Sequence, residues 1–178
     1  MKLEIEVPEG KTAKWINGVL TLIDAKDDRP VTERIRTLQD AIDELGNEHP
    51  LVKEYGKLAN VSPDIEAYLE LRIIVAALNE GWQPKFDGEW RYYPWFKLVS
   101  QSDIEDMDEE EKNRVVLRSS NNARSYGGVV FAVANSDASG VVASCGSRLT
   151  LKSEELAEYA GRQFLKFYAQ IIFAETIK

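Results

Sequence analysis

Six apolar residues in succession, IIVAAL at Ile73–Leu78, sit inside a segment whose two ends read as those of a helix. Ser62-Pro63-Asp64 offers a cap, a proline at the first helical position and an acid beside the positive end of the helix dipole. Gly81 follows Glu80 and can end the helix there. A helix that is apolar all round at one end has to be covered from several sides. A chain of 178 residues can do so from a single core, because at this size about 70% of the unfolded surface is buried.

The rest of the chain supplies the cover in blocks. Lys2–Val7 (KLEIEV) alternates apolar and charged residues, the period of a strand. Pro8, Gly10 and Lys11 form a turn, and Asn17-Gly18 is a hairpin turn between Trp15-Ile16 and Val19–Ile23. After a polar connector at Ala25–Pro30, Thr32 is the expected cap of a helix whose apolar stripe is Ile35, Leu38, Ala41, Ile42 and Leu45, closed by Gly46. A shorter helix is expected from about Pro50 to Leu58. Beyond residue 113, RVVLRSS, SYGGVVFAVAN and GVVASCGSRLTL are β-rich and separated by polar clusters, as in an antiparallel meander. Val129–Ala134 (VVFAVA) is continuously apolar, which predicts a central strand covered on both faces. Ser153 caps one long final helix with the stripe Leu156, Ala160, Phe164, Phe167, Tyr168 and Ile171.

Strands, helices, strands and a last helix come in segregated runs, so the expected class is α+β: a mostly antiparallel sheet with helices packed on one face. One domain over 1–178 is expected, with 1–30 as a possible small appendage and 100–113 as an acidic surface loop. Within that loop Asp103–Glu111 carries seven carboxylates in nine residues, an exposed loop or short surface helix.

Composition narrows the function classes. The net charge of −8 repels phosphate backbones at long range and argues against non-specific binding to nucleic acid or anionic membrane. One cysteine, Cys145, allows no internal disulfide, there is no apolar signal segment, and no run approaches the ~18 apolar residues of a spanning helix; the expected location is the cytoplasm. The lone histidine, His49, stands before Pro50 at a helix entrance and reads as a loop residue rather than a base. Cys145 in ASCGS would need a nearby base or positive field to act as a nucleophile, and its small neighbours read more simply as a tight strand end. No phosphate-cradling glycine loop, zinc ligand set or EF-hand spacing is present, so no cofactor, no metal and no catalytic residue is assigned.

What remains is the aromatic stretch. Seven of seventeen aromatic residues lie between Trp82 and Phe96, which makes this segment either core or contact surface. If Glu89–Lys97 is extended, Trp90, Tyr92, Pro94 and Phe96 face one way and Arg91, Tyr93, Trp95 and Lys97 the other. The first set is a core face. The second mixes rings with cations, the chemistry of partner anchoring, cation–π contact or base stacking. Pro94 marks an edge or a bulge.

The segments AALNEGWQPKF…RYYPWFKL and GSRLTLKSEELAEYAGRQFLKFYAQIIF, together with VTERIRTLQDAIDELG…HPLVKEY, resemble a family of uncharacterised proteins encoded by phages and prophages of gut Bacteroides-type bacteria. The resemblance covers most of the chain and implies a bacterial or phage cytoplasmic setting. It brings no catalytic residues, but it draws attention to Trp82, Tyr92, Tyr93, Pro94, Trp95, Phe96, Gly146, Ser147 and Arg148. If the segment after GSRL pairs with YYPWF, Arg148 stacks on a ring or pairs with an acid there.

The expected function is therefore binding without catalysis, through Arg91, Tyr93, Trp95, Lys97 and Arg148, to a protein partner. Alternatives are a single-stranded nucleic-acid-binding accessory protein, an acidic loop that imitates phosphates to block a DNA-binding protein, and a hydrolase or transferase using Cys145 or a carboxylate cluster. The sequence sets neither the partner nor the oligomeric state.

Overall fold

The computed structural model describes residues 6–16, 18–24, 27–85, 88–118, 127–138 and 148–177. Most of the expected first strand, Asn17, the Asn121–Tyr126 loop and the segment with Cys145, Gly146 and Ser147 lie outside them. The chain divides into two compact units, Met1–Pro30 and Val31–Lys178. The first holds a β-hairpin, β1 (Lys11–Ile16) and β2 (Val19–Asp24), with Ile16 opposite Val19 across the turn. Gly18 has φ of 79°, the left-handed backbone such a turn needs.

The second unit is α+β. Its helices begin with α1 (Val31–Arg34) and α2 (Leu38–Leu45). The single helix expected from Thr32 is thus split, and the cap is Thr37. Thr37 Oγ1 accepts from the Asp40 amide while the Asp40 carboxylate accepts from the amides of Thr37 and Arg36, a reciprocal box that fixes the start five residues later than expected. The carbonyls left over at the split are taken by α7 (Glu154–Gln163): the Tyr159 hydroxyl donates to Ile35 O at 2.6 Å and Gln163 Nε2 to Arg36 O at 2.8 Å. Next come α3 (Pro50–Tyr55), capped by His49, and α4 (Pro63–Leu78), whose last turns are buried as the apolar run requires.

The sheet has the order β3-β5-β4, formed by β3 (Trp90–Val99), β5 (Gly128–Ala138) and β4 (Val116–Leu117), all antiparallel. Between β3 and β4 the acidic segment folds as two short helices, α5 (Gln101–Asp106) and α6 (Glu109–Lys112), each started by its own capping box, Ser100 with Asp103 and Asp108 with Glu111. The carboxylates that looked like a solvated loop are what begin these turns.

The expected long C-terminal helix is two helices, α7 and α8 (Leu165–Phe173), interrupted at Phe164. Phe164 is fully buried with its ring edge-on to Tyr159 and tilted against Phe167, so packing holds it out of helical geometry. Helix α7 lies on β3 and β5, α8 lies between the sheet and α4, and α2 and α3 pack on α4. The run Ile73–Leu78 is therefore in the middle layer, and helices cover one face of the sheet. Gly161 marks the closest approach of α7: a β-carbon there would run into the Phe131 ring and stand 2.7 Å from Pro94 Cβ.

A side-chain clamp joins the two halves of the unit. Asn79, the C-cap of α4 and only 4% exposed, donates from Nδ2 to Thr150 O at 2.9 Å and accepts at Oδ1 from the Lys152 amide at 3.0 Å. It pairs with an extended segment as a strand would. Beside it, Glu80 takes Lys152 and Arg34 at 2.8 and 2.7 Å.

Candidate functional site

The aromatic ribbon is β3, and its register with β5 assigns each side chain to a face. Tyr93 stands opposite Asn135, Pro94 opposite Ala134 and Trp95 opposite Val133; then the register shifts and Phe96 stands opposite Phe131, leaving Ala132 as the extra residue of a bulge. Tyr92 exchanges both backbone hydrogen bonds with Leu151, at 3.0 and 2.8 Å. The Tyr92 N–H thus points away from β5, and so does the position of the missing N–H two residues on at Pro94, where no bond to β5 is lost.

On the helix face Pro94 is buried, and Phe96 is half-buried with its ring edge-on to Phe131 and 4.8 Å from that of Tyr168. Trp90, expected on this core face, is exposed. The other face is uncovered around Trp95, which is 55% exposed, and Val133 opposite it, 48% exposed. Tyr93 is half-buried with its ring 6.5 Å from that of Trp95, Lys97 continues the row, and Leu117 of β4 is also exposed. Val129–Ala134 is the central strand, as its composition predicts, but its cover is uneven: Val129 is fully buried while Val133 is 48% exposed.

The five site residues separate. Tyr93, Trp95 and Lys97 share the open face. Arg91 belongs to it by alternation but is 5% exposed, so it offers little surface there; its alternation was legible and its cover was not. Arg148 lies elsewhere, exposed on a cleft of about 230 Å³ with Arg72, Trp82, Gln83, Pro84 and Thr150. The Leu151–Tyr92 bridge does place the segment after Arg148 beside the ribbon, yet Arg148 faces the end of α4 rather than Tyr93 and Trp95. Lys97 has an acid for company: hydrogen bonds from Ser100 hold the Asp103 carboxyl below its usual range, and the Lys97 charge adds to this.

His49 Nδ1 accepts from the Leu51 amide at 3.3 Å, a helix-capping role. Among the described residues no group of three or more His, Cys, Asp or Glu could hold a metal ion, and no helix is long and apolar enough to cross a membrane. The buried acid Glu70 was not singled out by sequence. It accepts from the Tyr55 hydroxyl at 2.9 Å; burial raises the Glu70 carboxyl above its ordinary range and, with the Glu70 bond, pushes the Tyr55 phenol up to about 12. A polar residue on the apolar side of α4 was the signal that could have found it.

Comparison with protein-family models, with curated proteins and with solved structures finds no match to this chain.

Proposed function

We propose that the chain is a non-catalytic binding protein that docks a partner protein on the sheet face that carries Trp95, with Trp95 as the anchor. The observation that carries this reading is the pair Trp95 and Val133, directly opposed on one face of the sheet and both about half exposed. Exposed tryptophan flanked by aliphatic side chains is the chemistry of an interface centre. Stacking of single-stranded nucleic acid would need cations along the rings. Among the described residues the face offers Lys97, already close to Asp103, because Arg91 is buried and Arg148 is on another surface. The net charge of −8 works in the same direction. The resemblance of the sequence to phage and prophage proteins suits a bacterial cytoplasm as the setting.

The test is affinity capture from infected or lysogenic cells with the wild type and with a Trp95→Ser/Val133→Ser variant. The expected result is a protein retained by the wild type and lost from the variant, with unchanged circular dichroism. Retention of the same protein by the variant overturns the reading. Salt-sensitive quenching of tryptophan fluorescence by a single-stranded oligonucleotide, absent in the variant, would give the face to nucleic acid instead. A concentration-dependent dimer lost in the variant would give it to a second copy of the chain.

A further inference from the structure

A second cleft, of about 400 Å³, opens on the helix side of the sheet where α7 gives way to α8. Val116, Phe131 and Leu165 line it with apolar surface, and Arg114, Arg162 and Lys166 bring three cations to it. In a chain of net charge −8 such a concentration is unexpected. Arg114 pairs with Glu110, an exposed contact that water and salt weaken. Among the described residues no carboxylate is in ion-pair contact with Arg162 or Lys166; the charge of Lys166 is felt by Glu70 only as a minor influence.

Two details hold these cations ready. The Arg162 guanidinium lies over the Phe131 ring, 4.6 Å from its centre, a contact that helps to hold it there. Lys166 is the second residue of α8, where its charge adds to the positive end of the helix dipole, and Phe164 supplies no side-chain cap to offset it. An anion in the cleft would relieve that conflict and answer all three cations.

We propose that this cleft binds a phosphate monoester of a small organic molecule, the phosphate among Arg114, Arg162 and Lys166 and the organic portion against Val116, Phe131 and Leu165. Three cations match a group carrying about −1.5 to −2 charges better than they match a single carboxylate. The volume lies in the range of about 300–1,000 Å³ usual for small-ligand sites. The acidic remainder of the surface disfavours a long polyanion but not a single phosphate, whose field is screened within about 10 Å. This site is on the opposite side of the sheet from Trp95 and stands independently of the partner face.

Isothermal titration calorimetry at low ionic strength tests it with inorganic phosphate, phenyl phosphate, adenosine 5′-monophosphate and adenosine. Saturable binding of phosphate in the millimolar range, tighter binding of at least one of the two esters, and none of adenosine are expected. An Arg114→Gln/Lys166→Gln variant changes only exposed side chains, so its circular dichroism should match the wild type, while its affinity for the esters falls by about tenfold or more. Absence of phosphate binding, esters no tighter than phosphate, adenosine binding as well as its monophosphate, or a variant that binds like the wild type each overturns the proposal.

Discussion

Gly161 and Phe131 stand so close that hydrogen alone fits between the backbone of α7 and the ring on β5. The sheet and its helix layer meet at that contact, with Pro94 also against Gly161. Gly161→Ala adds one carbon against the Phe131 ring and the stiff proline at Pro94. A loss of about 1–3 kcal/mol is expected, despite the higher helix propensity of alanine. Urea unfolding measures it; a stabilised variant would show that α7 can lift off the sheet.

Asn79 answers two backbone groups with one buried amide. Asn79→Ala leaves Thr150 O and the Lys152 N–H without that partner, at about 1–3 kcal/mol for each group that water does not reach. Hydrogen exchange of the Lys152 amide should accelerate in the variant more than that of the α2 amides. Equal acceleration of both would mean the clamp is only a part of the global core.

Glu70 and Tyr55 set a pH dependence. The folded-state Glu70 carboxyl lies above its ordinary value because it is buried, so the folded chain binds that proton more tightly than the unfolded chain does. The stability linked to it is complete below the ordinary glutamate value and is lost as pH rises through the raised one. Glu70→Gln keeps an oxygen for the Tyr55 hydroxyl and should flatten this slope, so the variant gains on the wild type towards neutral pH. Tyr55→Phe removes the donor and should destabilise by about 1–3 kcal/mol at neutral pH. Denaturant midpoints between pH 4 and 8 decide both; an unchanged slope in Glu70→Gln would put the linkage elsewhere.

Tyr168 presents the reverse case. Its hydroxyl is buried with no hydrogen-bond partner among the described residues, and burial raises the phenol well above its ordinary range. Tyr168→Phe should therefore be neutral or stabilising by up to about 1 kcal/mol, with the ring contact to Phe96 kept. A clear loss of melting temperature would reveal a bonded partner for the oxygen.

Local chemistry made much of this legible. Ser62-Pro63, Gly46 and Ser153 mark helix boundaries where the structure has them, and the turn at Gly18 joins the strands on either side of it. The alternation in β3 assigns Trp95 and Phe96 to opposite faces. What misled was set partly by a local bond and partly by tertiary contact. Thr32 has Glu33 beside it but Ile35 three residues on, whereas Thr37 has Asp40 at that spacing, and the reciprocal bonds of Asp40 decide between them. Nothing in GRQFLKF breaks a helix, yet burial of Phe164 does. Arg91 and Trp95 share a periodicity but not a cover, and Arg148 lies beyond the reach of any spacing rule. The basic cleft joins residues from four elements and the links between them, so no single stretch of sequence displays it.

The bonds from Asn79 span 71 and 73 positions of sequence, so one short side chain closes the excursion that carries the whole ribbon and both acidic helices. Closing a loop of that length is insensitive to a few residues more or less, since doubling it adds only about 0.6 kcal/mol. The turn at Met107-Asp108, between two self-capped helices, is accordingly where an epitope or a reporter could be grafted while the anchor points of the fold stay where they are.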